Sequence, residues 1–178
     1  MAKSDIYDIV DLKMVAYGNT QPPVAEGDSY SCQHGPQECE SDALELCTQY
    51  LLSGDLNSIE SGDTTKAAYP FILCMEEAAG DPTKGQECFS SSMPSNSTLT
   101  WDAVQQCQQN DFDAVTSAAM KATPSDHQYV PWVLVDGVLL GSDKNALMKS
   151  ICASYDGPTP QSCKRLGEEA EGRCYKNV

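Results

Sequence analysis

Basic residues, histidine and long apolar runs are all scarce in this chain. Eleven Lys and Arg face 26 Asp and Glu among 178 residues, a net charge of −15. Such a surface repels a phosphate backbone, so nucleic acid is excluded as a partner. Two histidines, with no nucleophile elbow, leave a hydrolase triad without support. No stretch approaches the roughly 20 apolar residues of a membrane helix, so no membrane partner is expected. Met1-Ala2-Lys3-Ser4-Asp5 holds no apolar run and does not read as a signal peptide. Cys-x-x-Cys is missing too, although the chain has nine cysteines. Successive cysteines are separated by 6, 7, 26, 13, 18, 44, 10 and 10 residues, which matches no paired zinc-ligand spacing. Neither a metal nor a cofactor is expected.

What is present is concentrated in Cys32-Gln33-His34-Gly35-Pro36-Gln37-Glu38-Cys39, closed by Cys47. Thiols this dense are reactive, metal-bound or crosslinked. With zinc set aside, a disulfide framework formed in an oxidising compartment is the better reading. Its candidates are Cys32, Cys39, Cys47, Cys74, Cys88, Cys107, Cys152 and Cys163. Cys174 is expected to be the odd one, because termini are mobile. The sequence does not choose among the connectivities. Cys152 with Cys163 is expected to pair locally, since a helix end and the Gly157-Pro158 turn bring them near. Asn96-Ser97-Thr98 is a glycosylation sequon in a Ser-rich, loop-like stretch. The acidic surface suits a lysosome or vacuole, where low pH partly neutralises it.

The chain reads as a single α/β domain over residues 1–178. Residues 5–18 are predicted as a core strand, because Ile6 to Val15 is β-branched and partly alternating. Residues 32–125 hold the cysteine-rich motif and a run of helices. Asp42 is the expected N-cap of the first, with Glu45 as its capping-box partner. A second helix is predicted over Thr64–Ala79 around Pro70, residues 81–99 as loop, a short helix from a Thr100 cap to Cys107, and another over Asp111–Ala122. Residues 128–156 form a strand–strand–helix unit. Tyr129 to Val135 is apolar, Asp136-Gly137 is a strong hairpin signal, Val138-Leu139-Leu140 returns, and Ser142 caps the last helix. Residues 157–178 are a polar tail held by its cysteines. A helix-rich insertion before a terminal ββα unit is the later part of a thioredoxin-like fold, with Val130-Pro131 where such folds place a proline loop.

Cys32-Gln33-His34-Gly35, Glu38, Cys39 and Cys47 together resemble the signature of the gamma-interferon-inducible lysosomal thiol reductase family. Asp42 stands where that signature has Asn. Tyr17-Gly18-Asn19, Cys74-Met75-Glu76-Glu77 and Tyr129-Val130-Pro131-Trp132-Val133 resemble further family segments in the same order. The resemblance implies a lysosomal, vacuolar or secreted thiol–disulfide oxidoreductase whose substrates are disulfide-containing or unfolded proteins. It also implies a Cys-x-x-Cys at the start of the first helix, facing the Val130-Pro131 loop. This chain lacks that pair, so an N-terminally truncated fold is expected, without the first strand and the start of its helix. Little reductase activity is then expected. The alternative is a non-catalytic, peptide-binding thioredoxin-like module.

Other residues carry plainer expectations. Cys32 and Cys39 read as a structural disulfide, because six intervening residues do not set both sulfurs at one helix N-terminus. His34 is expected in a loop hydrogen bond or exposed, and His127 solvated. Glu38, Glu40 and Glu45 read as a solvated cluster at a helix start. Trp132 reads as a core aromatic or a substrate contact beside the proline loop.

Overall fold

A strand exists only beside another strand, and the Ile6–Val15 segment has none among the described residues. The computed structural model describes residues 5–141 and 146–166. In it the predicted core strand over 5–18 is replaced by a short helix, α1 (Asp5–Ile9), and an irregular segment that follows it. The Met14 amide donates to Thr65 Oγ1 at 3.4 Å instead of to a neighbouring strand. β-branched alternation marks a segment that can pair, but does not supply the partner. The described residues are mostly helical, with one two-stranded sheet and four disulfides among them. It divides into two compact units. Residues 12–130 form one, and the described residues up to Asp11 and from Pro131 onward form the other.

The larger unit is built on α2 (Pro36–Ser53). Cys39, Ala43, Leu44, Glu45, Leu46, Cys47, Thr48 and Gln49 of α2 are all buried. A helix buried on successive residues is central rather than amphipathic. Around it lie α3 (Asn57–Ser61), α4 (Thr65–Glu77), α5 (Gly85–Ser92), α6 (Trp101–Asn110) and α7 (Phe112–Ala122). Leu46, Ile59, Phe71, Met75, Phe89, Val104 and Val115 form their shared core. Phe71 meets Phe89 edge-on at 6.2 Å, and Phe89 tilts against Trp101 at 5.8 Å. Cys47–Cys107 ties α2 to α6 inside this core, and Cys74–Cys88 ties α4 to α5.

Two predicted boundaries change. The first helix begins at Pro36, six residues before Asp42, so Asp42 and Glu45 are interior residues and not a capping box. Proline opens a helix readily because its missing N–H would be unpaired there anyway. Residues 81–99 are not all loop. Asp81 accepts from the Thr83 amide at 2.9 Å, caps a 3-10 turn at Pro82–Lys84, and leads into α5. Elsewhere the expected starts hold: Thr100 Oγ1 accepts from the Ala103 amide at 3.3 Å at the head of α6, and α4 runs through Pro70.

In the smaller unit β1 (Leu134–Val135) pairs antiparallel with β2 (Val138–Leu139), Leu134 opposite Leu139 and Val135 opposite Val138. Asp136 (φ 48°) and Gly137 (φ 78°) both take the left-handed conformation that a two-residue hairpin turn requires. The predicted strand over Tyr129–Val135 shrinks to two residues, because Pro131 has no N–H for a ladder. Helix α8 (Ala146–Ser154) follows, and Cys152 bonds to Cys163. Ser162 donates through its amide (3.1 Å) and its hydroxyl to the Asp5 carboxylate. Those bonds hold the Asp5 carboxyl below its ordinary pKa. The expected Ser142 cap, Cys174 and the end of the tail lie outside the described residues.

Candidate functional site

The signature motif folds into a closed turn at the head of α2. Gln21 and Ser31 exchange both backbone hydrogen bonds, at 2.8 and 3.0 Å, and so deliver the chain to Cys32. Gly35 donates its amide to the Cys32 carbonyl at 3.1 Å and its carbonyl accepts from Glu38 at 3.2 Å. Its φ of 95° is open to glycine and strained for other residues. Pro36 then starts the helix, and Cys39, its fourth residue, closes a disulfide with Cys32 across a Cα–Cα distance of 5.5 Å. The sequence spacing suggested that these two sulfurs would not share a helix N-terminus. The Gly35 turn folds the intervening residues back and places both there.

The remaining signature side chains hold this turn. The Glu38 carboxylate accepts from the His34 amide at 2.6 Å and meets His34 Nδ1 at 2.9 Å. Gln33 Oε1 accepts from Asn19 Nδ2 at 2.7 Å, which joins the Tyr17-Gly18-Asn19 segment to the motif. Thr20 Oγ1 donates to Cys32 Sγ at 3.4 Å. His34 is therefore both exposed and hydrogen-bonded. Cys47 lies elsewhere, fully buried against Cys107.

A cleft of about 340 Å³ opens beside the disulfide, walled by Tyr30, Pro36, Phe112, Gln108, Glu40 and both bonded sulfurs' residues. Tyr30 and Phe112 pack edge-to-face at 6.2 Å. Sequence reasoning did not find Tyr30, two residues before Cys32, nor Gln108 and Phe112, which only the docking of α6 and α7 on α2 brings to the motif.

The expected solvated acid cluster separates. Glu40 is exposed and Glu38 half-buried, whereas Glu45 is 4% exposed. Burial pushes the Glu45 carboxyl well above its usual range, with Glu76 and Asp42 adding repulsion. Burial likewise raises Asp42 to about 7, helped by Glu38 and Glu76. In the 128–156 segment Val130 and Pro131 are exposed, and Trp132 is half-buried. Asn96 is exposed in a turn closed by the Ser97 amide on the Pro94 carbonyl at 2.9 Å. Among the described residues no group of three or more His, Cys, Asp or Glu is placed to hold a metal ion, and no helix is long and apolar enough to cross a membrane.

Residues 1–92 match the family model described as gamma interferon inducible lysosomal thiol reductase. A goldfish (Carassius auratus) gamma-interferon-inducible lysosomal thiol reductase is 30% identical over 168 residues, covering 88% of this chain and 60% of the relative. An Arabidopsis thaliana gamma-interferon-responsive lysosomal thiol protein is 30% identical, covering 89% and 63%. The Mus musculus gamma-interferon-inducible lysosomal thiol reductase is 28% identical, covering 96% and 65%. The chain thus spans about three fifths of the length of these relatives.

Proposed function

Because the chain belongs to the gamma-interferon-inducible lysosomal thiol reductase family, we propose that it takes part in thiol–disulfide exchange on disulfide-bonded or unfolded protein substrates. The setting is lysosomal, vacuolar or extracellular. Family membership carries this reading. Four disulfides agree with an oxidising compartment, and two buried carboxyls that favour their neutral form agree with an acidic one. The strand–turn–strand–helix order of β1, β2 and α8 supports a thioredoxin-like unit, in which the exposed Val130-Pro131 loop would meet substrate backbone.

The 178 residues contain no Cys-x-x-Cys, and all eight described cysteines are bonded in pairs. On that observation this chain by itself has little or no reductase activity, since turnover needs a closely spaced pair whose second thiol resolves the mixed disulfide with substrate. The test is insulin reduction at acidic pH by the purified chain with a small thiol to recycle it. No turnover above the thiol alone is expected. Turnover that disappears in Cys32→Ala or Cys39→Ala would overturn the assignment.

A second reading is a non-catalytic peptide-binding module. The apolar walls of the cleft, Tyr30, Pro36 and Phe112, favour it. Saturable binding of a cysteine-free extended peptide, weakened in Phe112→Ala, supports this reading; no binding rules it out.

A further inference from the structure

We propose that Cys32–Cys39 is an exchange site for small, uncharged or cationic thiols, opening while the rest of the fold stays closed. The four bridges differ in what can reach them. Cys47 and Cys107 are 0% and 3% exposed, whereas Cys74–Cys88 joins a half-buried residue to one 2% exposed. Cys32 is half-buried as Cys74 is, but Cys32 and Cys39 both line the cleft, and Thr20 Oγ1 donates to the Cys32 sulfur. Cys152–Cys163, half-buried at both ends, is the nearest competitor. The negative end of α8 opposes a thiolate on Cys152 but not on Cys163, near the start of the helical stretch from 161, so it is the cleft and the Thr20 donor that set Cys32–Cys39 apart.

Attack falls on the more accessible sulfur. An incoming thiolate bonds to Cys32 Sγ, the Cys32–Cys39 bond breaks, and its electron pair leaves on Cys39 Sγ. Cys39 is the fourth residue of an 18-residue helix, and its side chain leans back toward the positive end. A second thiol then attacks the mixed disulfide, releasing a disulfide of the small thiol and the Cys32 thiolate, while solvent protonates the freed sulfurs. Two thiols are oxidised and one bridge is reduced. Thr20 Oγ1, which donates to Cys32 Sγ, stabilises the charge that this second step leaves there. Glu40 in the cleft wall and the net charge of −15 select against anionic thiols. The opening is stoichiometric and needs no turnover, so its failure is read separately from that of the family role.

The folded chain is titrated with cysteamine, a cation, and mercaptosuccinate, a dianion. Free thiols are then alkylated and mapped by peptide mass spectrometry. Cys32 and Cys39 are expected to open at a concentration at least about tenfold below that opening any other bridge, with the cysteamine adduct on Cys32. Cysteamine is expected to react faster than mercaptosuccinate, and Thr20→Val to let the Cys32 adduct accumulate. Opening of Cys152–Cys163 first, or loss of all four bridges together at the unfolding transition, overturns the proposal. Equal rates for the two thiols overturn its charge selectivity.

Discussion

Acidification should stabilise this protein. Asp42 lies on α2 with Glu45 three residues along the same helix; Glu76 repels both, Glu38 repels Asp42, and Asp42 repels Glu45. Burial raises Asp42 from 3.8 to about 7. The folded state therefore binds its proton more tightly than the unfolded state does. A raised carboxyl contributes stability that is fully present below its unfolded value near 4 and is lost as pH rises through about 7. Each factor of ten in proton affinity is worth about 1.4 kcal/mol, so the Asp42 ceiling is about 4 kcal/mol above pH 8. Glu45 acts in the same direction. The assay is urea unfolding of the purified chain between pH 4 and pH 8. The midpoint should fall across this range. Asp42→Asn, which keeps shape and removes the charge, should flatten the fall and raise the midpoint at pH 8. Asp102→Asn, at an exposed site, should leave the slope alone. A midpoint that rises between pH 5 and pH 8, or an unchanged slope in Asp42→Asn, would refute the reasoning.

Three further outcomes are expected. Replacing Cys47 and Cys107 together by alanine releases a crosslink between residues 60 apart and should cost about 4 kcal/mol by chain-entropy reasoning, read from denaturant midpoints. Gly85→Ala, normally favourable within a helix, should destabilise by about 1–3 kcal/mol, because the new methyl would lie 2.5 Å from Trp101 and 3.0 Å from Leu44; a gain in melting temperature would contradict the packing. Expression through a secretory pathway should add one glycan at Asn96, seen as a gel shift removed by glycosidase and absent in Asn96→Gln, while an unshifted wild-type band would exclude it.

Local signals in the sequence were readable where local chemistry decides the outcome. Asp136-Gly137 forms its hairpin turn, and Thr100 caps its helix, because turn conformation and an unpaired amide are settled within a few residues. Pro36 and Asp81-Pro82 carried equally plain helix-start signals, but the acidic pattern at Asp42 and the serines after Cys88 obscured them. Ile6 to Val15 failed for a different reason: strand character depends on a neighbour that no single segment encodes. The burial of Glu45 was illegible because charge normally predicts solvent, and only the crowding of α4 around α2 overrides it. The cleft was half legible. Its cysteines and turn could be read, whereas Gln108 and Phe112 arrive through packing.

The four crosslinks also impose an order on oxidative maturation. Three of them join residues only 7, 14 and 11 positions apart, so chance encounters within an unfolded chain can close them early. The fourth, between Cys47 and Cys107, spans 60 positions and can join only once α2 and α6 have found each other. Maturation should accordingly pause at a three-bridged species in which Cys47 and Cys107 are still free and reachable. Closing the last bond seals both sulfurs away from solvent and makes that final step the committing one.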